Sequence, residues 1–111
     1  MGERMARILV HLSHGDRGWI VAEAPEVPGA TSQGRTEEEA LRNIREAVEG
    51  TLEVRMGFVL AGEKDAGGRP VELFERYGHP RAVPPGAWER LIEVDLDAVA
   101  RRLRGPSRQN V

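Results

Sequence analysis

The feature that most constrains the fold is a long amphipathic helix predicted to begin at Thr36. Thr36 and Glu39 have the spacing of a capping box, in which the hydroxyl accepts a hydrogen bond from the Glu39 backbone N–H and the carboxylate reaches back. Residues that suit a core-facing stripe then recur at helical spacing: Ala40, Leu41, Ile44, Ala47, Val48, Thr51 and Leu52. We expect the helix to end between residues 56 and 61, because Gly57 and Gly62 both suit a C-cap. A helix with one such stripe needs a second layer to cover it.

Alternating apolar segments on both sides of this helix predict a sheet that supplies the second layer. Residues 5–12 and 19–24 are separated by turn-forming residues, which indicates an antiparallel hairpin. Residues 30–35 are short and polar, as is typical of an edge strand. Residues 89–94 predict a further strand, and residues 71–75 are a candidate for another short one.

A second, shorter helix is predicted after the last of these strands. Asp95 is placed to cap it, and Leu96, Val99 and Leu103 recur at helical spacing. A Gly-Pro pair at 105–106 stops it. The expected fold class is therefore α+β, with an antiparallel three- to four-stranded sheet, one long helix packed on it and the element order β-β-β-α-β-α.

Length and composition favour one small globular domain without covalent or metal cross-links. The chain has 111 residues, of which 40% are hydrophobic and 31% charged, and it has no cysteine. The missing cysteine excludes disulfides, cysteine zinc sites and thiol nucleophiles. We expect a single domain over residues 1–104, with a variable loop region over 57–88 and a flexible tail over 105–111. No apolar run suits a membrane span or a signal peptide, so we expect a cytoplasmic protein without membrane contacts.

The titratable residues do not form a catalytic or metal-binding pattern. Two-metal nuclease chemistry needs converging carboxylates, but residues 5–12 contain no acid. The three glutamates at 37–39 are consecutive helical residues that point about 100° apart. His11 and His14 lie at a strand end and in a turn, His79 is the other imidazole, and we interpret them as surface residues. We therefore expect no catalytic residue, no metal, no cofactor and no small-molecule substrate.

Several residues are candidates for intermolecular contacts. Arg101, Arg102 and Arg104 at the end of the second helix suit phosphate contacts, but the negative end of the helix dipole also favours arginine there. The two tryptophans suit either the core or a protein interface. Residues 58–60, Phe-Val-Leu, either join the core or form an exposed patch that an oligomer buries.

The sequence from the hairpin to the long helix resembles the HicB family of antitoxins. The matching parts are a Pro-containing loop ending in Pro-Gly at 28–29, Ser-Gln-Gly-x-Thr at 32–36, and Glu-Glu-Ala-Leu-x-Asn-Ile-x-Glu-Ala at 38–47. The similarity runs from Ile8 to Val54. It implies a partly reduced RNase H-like fold. It also implies that the protein binds and blocks a small HicA-type toxin, a double-stranded-RNA-binding-like domain that cleaves mRNA with a histidine.

Two features depart from the family pattern. The residue after the Pro-Gly pair is often cysteine in the family and is Ala30 here, a small side chain that suits the same buried position. Many members also carry a C-terminal DNA-binding domain, whereas only 17 residues follow Val94 here. Because helix-turn-helix and ribbon-helix-helix domains need at least two helices, we expect no separate DNA-binding domain and no direct binding of DNA.

These observations together predict a non-catalytic antitoxin that covers a basic, RNA-cleaving toxin and self-associates as a dimer or tetramer. The net charge of −2 suits a basic partner. Candidate interface residues are Trp19, Val27, Gln33 and Arg35, and the edge strand at 30–35 can add to a partner sheet. Two alternatives stay open. One is an orphan homo-oligomer without a toxin, and the other is an accessory protein that binds nucleic acid through the C-terminal arginines.

Overall fold

Four strands and two α-helices make up the described part of the chain. The computed structural model describes residues 4–74 and 82–103. In chain order the elements are β1 (Met5–His14), β2 (Ile20–Glu23), β3 (Thr31–Gly34), α1 (Glu37–Leu60), β4 (Trp88–Asp95) and α2 (Leu96–Leu103), with a 3-10 turn at Asp16–Gly18. The predicted α+β class and the predicted order β-β-β-α-β-α are confirmed.

The strands form one antiparallel sheet in the order β3-β2-β1-β4. β1 is central: it pairs with β2 over residues 11–14 and with β4 over residues 5–12. β3 pairs with β2, so the segment predicted to be an edge strand does lie at an edge. β4 lies at the opposite edge, and α1 crosses one face of the sheet between them.

The core lies between α1 and the face of the sheet that carries the even-numbered residues of β1. The fully buried side chains of this contact are Ile8, Val10 and Leu12 on β1, and Ala40, Ile44, Val48 and Leu52 on α1. The stripe predicted along the helix therefore faces the sheet. Burying a Val, Leu or Ile side chain stabilises a fold by about 1.5–3 kcal/mol relative to exposure, so this two-layer contact is the main source of stability.

The turn between β3 and α1 requires glycine and then a helix cap. A Cβ atom on Gly34 would lie 2.4 Å from the backbone nitrogen of Ala40, so glycine allows β3 to approach the first turn of α1. At that turn the Thr36 hydroxyl accepts a hydrogen bond from the Glu39 backbone N–H at 3.1 Å. The Glu39 carboxylate accepts one from the backbone N–H of Arg35. The carboxylate thus reaches one residue before the N-cap.

The long helix ends at Leu60 and is followed by Gly62, the later of the two candidate C-caps. Gly62 has a φ of +72°, a left-handed conformation that glycine adopts without a steric penalty. The backbone N–H groups of Gly62 and Glu63 donate to the carbonyls of Val59 and Phe58. These two bonds form a Schellman motif, which satisfies carbonyls that the helix itself leaves unpaired.

The loop after α1 corrects one prediction. Residues 71–74 do not form a strand, and residue 75 of that predicted strand lies outside the described residues. The Arg55 guanidinium on α1 donates to the backbone carbonyls of Glu72 and Leu73, at 2.6–3.1 Å. A helix side chain therefore binds backbone oxygens that a strand would offer to a neighbouring strand.

The second helix packs on the same side of the sheet as the first. The Asp95 carboxylate accepts a hydrogen bond from the Ala98 backbone N–H at 3.1 Å, which is the predicted cap. Arg102 on α2 forms ion pairs with Glu49 and Glu53 on α1, at 3.2 and 3.5 Å. Both helices therefore lie on the inner face of the sheet. The opposite face, which carries the odd-numbered residues of β1, is called the outer face below.

Candidate protein-interaction surface

Three of the four candidate interface residues lie together at one end of the outer face. The residue pair at this end of the β2–β3 ladder is Ile20↔Gly34. Trp19 directly precedes Ile20 in the chain, and Arg35 directly follows Gly34. Gly34 faces α1, and successive strand residues point to opposite faces. Gln33 and Arg35, on either side of it, therefore point outward, and both are exposed.

Trp19 and Arg35 contact each other through a cation–π interaction. The Arg35 Cζ atom lies 3.8 Å from the centroid of the Trp19 ring. The same guanidinium donates to the backbone carbonyl of Arg17 at 2.9 Å. Contacts of this kind contribute about 0.5–1 kcal/mol at exposed sites. The pair is thereby ordered in the free chain, which lowers the entropy cost of binding a partner.

Gln33 lies on the edge strand and is tied to the long helix through its backbone. Its carbonyl accepts a hydrogen bond from the Asn43 side-chain amide at 2.9 Å, while its own side chain is exposed. The sequence prediction missed this role of Asn43. The available signal is a polar amide within the Leu-x-Asn-Ile string of the helix, close to the core-facing stripe.

Val27 is placed in the core instead of at the surface. It is fully buried, together with Ala24 and Ala30, in the loop that joins β2 to β3. Three backbone hydrogen bonds among Ala24, Val27 and Ala30, of 3.0–3.1 Å, fold that loop over its own apolar side chains. We therefore leave Val27 out of the proposed interface. The burial of Ala30 agrees with the expectation of a small residue there.

A buried histidine flanked by two glutamates occupies the centre of the outer face. His11 pairs with Glu23 on β2 and with Glu89 on β4, so the three residues form one row across the sheet, with the glutamate Cα atoms about 10 Å apart. His11 is only 7% exposed, and its Nε2 atom has no hydrogen-bond partner within the described part of the chain. The prediction of a surface histidine is wrong here, because His11 lies on the central strand between two neighbours. His14 is exposed as expected.

The surroundings of this row combine unpaired acids with an exposed apolar side chain. Within residues 4–74 and 82–103, the Glu23 and Glu89 carboxylates take part in no ion pair. Leu91, on the same face of β4, is 61% exposed. One row further, Arg7 and Glu93 form an ion pair at 3.8 Å. The outer face thus offers negative charge next to apolar surface.

Two of the three C-terminal arginines have partners inside the chain. Arg101 lies 3.9 Å from the Asp95 carboxylate, and Arg102 binds Glu49 and Glu53 as described above. Arg104 lies outside the described residues. These contacts support the explanation by local charge and the helix dipole more than a role in phosphate binding.

Two carboxyl groups bind arginine in contacts that hold elements together. Hydrogen bonds from Arg90 and then from Trp88 Nε1 lower the pKa of Glu37 at the start of α1. The backbone N–H of Arg4 lowers the pKa of Asp97 on α2, with a smaller contribution from its side chain. These residues link β4 to α1 and the chain start to α2, so we assign them structural roles.

A second exposed surface lies at the C-terminal end of α1. Its members, called the α1 patch below, are Val54, Phe58, Val59 and Leu60, which are 58%, 47%, 41% and 70% exposed. The buried stripe of α1 ends at Leu52, so the last two turns of the helix extend past the main contact with the sheet. The sequence left open whether residues 58–60 are core or exposed, and the structure places them at the surface.

The described residues contain neither a metal cluster nor a membrane helix. Within residues 4–74 and 82–103, no group of three or more His, Asp or Glu side chains is arranged to hold a metal ion. In the same residues, no helix is both long and apolar enough to cross a bilayer. His79 lies outside the described residues.

The chain is similar in sequence to part of a curated protein. A UPF0150 protein of Thermoplasma acidophilum is 39% identical to it over 44 residues, which cover 40% of this chain and 64% of that protein. The chain therefore spans less than two thirds of the length of this relative. No protein-family model matches the chain.

The chain is similar in structure to the antitoxin HicB of Burkholderia pseudomallei. The crystal structure of the N-terminal domain of that antitoxin superposes with a TM-score of 0.56 and 24% identity, covering 81% of this chain and 99% of that one. The crystal structure of the antitoxin HicB superposes with a TM-score of 0.57 and 24% identity, covering 83% of this chain and 65% of that one. The resemblance found in the sequence is thus confirmed at the level of the fold: the chain has the fold of the N-terminal domain of antitoxin HicB.

Proposed function

We propose that this protein is a non-catalytic antitoxin that binds and neutralises a small HicA-type, mRNA-cleaving toxin. The observation that carries the proposal is the fold, which matches 99% of the N-terminal domain of an antitoxin HicB. The HicB-like residues between Ile8 and Val54 support it from the sequence.

In this proposal the protein acts by covering the active surface of the toxin. A protein that binds RNA needs a basic surface, because RNA is a polyanion. This chain has a net charge of −2, and Glu23 and Glu89 on its outer face form no ion pair with another described residue. Charge complementarity of this kind speeds association and fixes the orientation of the partners.

A search for a neighbouring reading frame that encodes a small basic protein, followed by co-expression of the two chains, tests the proposal. We expect a stable complex, and we expect RNA cleavage by the neighbour to be suppressed when this chain is present. The neighbour alone, at the same concentration, is the control for cleavage. If no such reading frame exists, or if the two proteins elute separately and cleavage is unchanged, the antitoxin proposal fails.

A second candidate is a homo-oligomeric binding protein without a toxin. The α1 patch favours it, because four exposed apolar side chains at one end of a helix are surface that an oligomer can bury. We expect the wild-type chain to form dimers or tetramers in light scattering, and we expect Phe58→Ser to reduce the assembly size. Leu91→Ser, which removes an exposed leucine from the outer face, is the matched control. A monomeric wild-type chain contradicts self-association.

Binding of nucleic acid through the C-terminal arginines has less support. Arg101 and Arg102 already bind acids of the same chain, so a phosphate would have to replace these contacts. Binding of RNA or DNA whose affinity falls steeply with added salt would support a nucleic-acid-binding function instead. Direct binding of DNA is not part of the proposal.

A further inference from the structure

We infer that the outer face of the sheet is the docking surface for the basic protein partner. An arginine or lysine of that partner inserts between Glu23 and Glu89, above His11. The inference rests on the proposed function, because it names the part of this chain that the toxin contacts.

The outer face of the sheet has no covering helix or strand in the described chain. α1 and α2 both pack on the inner side, where they contact each other through Arg102, Glu49 and Glu53. The outer face meanwhile carries the exposed side chain of Leu91 and the ordered Trp19–Arg35 pair. Apolar surface with a polar rim is typical of a protein interface.

The row of Glu23, His11 and Glu89 presents two carboxylates on one side of the sheet. Glu23 and Glu89 lie on either side of His11 in the strand register, and neither carboxylate has a cation of this chain beside it in the described residues. Each glutamate is about 5 Å from His11 at Cβ, so the two glutamates lie about 10 Å apart on either side of it. A guanidinium presents five N–H donors in a planar fork, so one arginine can donate to both carboxylates at once.

The imidazole at the centre of the row has a buried nitrogen without a hydrogen-bond partner in the described chain. His11 is more than nine-tenths buried, and its Nε2 has no hydrogen-bond partner in the described chain. A buried polar atom without a partner destabilises a folded protein. An apolar side chain on this central strand would avoid that cost. A docked partner that displaces the side chains covering Nε2 and offers it a hydrogen bond removes this cost.

A different protein fits this face better than a second copy of the chain. A symmetric contact centred on His11 would bring the same row against itself, so Glu23 and Glu89 would then face carboxylates of the other copy. The arginines on this face are also engaged, since Arg7 pairs with Glu93 and Arg35 stacks on Trp19. A basic partner supplies the missing cations without breaking these contacts.

Titration calorimetry with charge-neutralised variants tests the inference. The probe is a small basic protein encoded by a neighbouring reading frame, with its most prominent histidine replaced to prevent RNA cleavage. We expect Glu23→Gln/Glu89→Gln to weaken binding by about tenfold or more. The matched control is Glu38→Gln/Glu46→Gln, which removes the same charge from exposed positions of α1 and leaves binding within about twofold of wild type. Circular dichroism confirms that both variants fold.

The outcomes separate the inference from the proposed function. If the wild-type chain binds and Glu23→Gln/Glu89→Gln binds equally well, the docking surface is wrong while the antitoxin proposal stands. If the wild-type chain does not bind, both fail. If the free chain forms an oligomer that Glu23→Gln/Glu89→Gln disrupts, a second copy occupies the face and the inference is overturned.

Discussion

The two faces of the sheet consist of alternate residues of the same strands, yet they differ in almost every property. On the inner face, Ile8, Val10 and Leu12 are fully buried under α1. On the outer face, Arg7 forms an exposed ion pair, and the buried His11 lacks a hydrogen-bond partner in the described chain.

The burial of the inner-face residues is explained by folding alone, whereas folding does not explain a buried histidine between two glutamates on the outer face. Every buried side chain of the inner face lowers the free energy of the folded state by leaving water. The buried imidazole and the two glutamates beside it do not stabilise the free chain in that way. His11, Glu23 and Glu89 are therefore the residues at which a role in binding is best tested.

The largest effect is expected from a cavity in the inner face. Ile44→Ala should lower the free energy of unfolding by about 2–5 kcal/mol, because it removes fully buried methyl groups and leaves a void. Leu91→Ala on the outer face should change it by less than about 0.5 kcal/mol. Urea denaturation measures both. Equal losses would mean that the outer face is covered in the free protein.

A smaller loss is expected where β3 meets α1. Gly34→Ala should lower the free energy of unfolding by about 1–3 kcal/mol, because the new methyl group overlaps the backbone of Ala40. Gly50→Ala is the control, since its Cβ would meet nothing within 4 Å. That change should stabilise α1 by up to about 1 kcal/mol. Thermal unfolding distinguishes them, and a neutral Gly34→Ala would contradict the close approach.

A gain in stability is expected at the centre of the outer face. His11→Leu should raise the free energy of unfolding by about 1 kcal/mol, because it replaces an unsatisfied buried polar group with an apolar one. The same variant should bind the basic partner more weakly. His14→Leu, at an exposed position, is the control for a general effect of leucine. A destabilised His11→Leu would show that the imidazole contributes to folding.

The smallest effect concerns pH and the two structural carboxyl groups. Arginine contacts hold the pKa of Glu37 below its ordinary value of 4.5 and that of Asp97 below 3.8. A lowered folded-state pKa stabilises the fold above the ordinary value, and this stabilisation is lost as the pH falls through the lowered values. The melting temperature should therefore drop below about pH 4.5, and less steeply in Glu37→Gln/Asp97→Asn. Identical pH profiles for the wild-type chain and the double variant would show that these two carboxyl groups do not contribute to the pH dependence of stability.

The elements could be predicted from the sequence because their signals are local. The helix cap is predicted by the Thr36–Glu39 spacing, the buried helix face by the repeat of apolar residues, and the hairpin by the turn before Trp19. Each of these signals lies within a few residues of the element that it predicts. The strand bounds differ from the predicted ones: β1 continues past residue 12 to His14, and β4 begins one residue earlier than predicted, at Trp88. The predicted strand over 71–75 failed because the Arg55 side chain, and not a neighbouring strand, binds the carbonyls there.

The candidate site was only partly predictable. Trp19, Gln33 and Arg35 lie in or next to two consecutive strands, so their common place at one end of β2 and β3 follows from the antiparallel pairing of those strands. The row of Glu23, His11 and Glu89 is different, because Glu89 is far along the chain and meets His11 only through the β1–β4 register. No local pattern distinguishes this histidine from one on the surface.

The α+β class, the cap and stripe of α1 and the likeness to HicB are encoded in local sequence patterns, because periodicity and capping act over a few residues. Long-range packing sets which face of the sheet the helices cover, the burial of Val27, and the position of His11 between two glutamates. Those outcomes depend on which strands pair and in which register, and pairing joins residues that are distant in the chain.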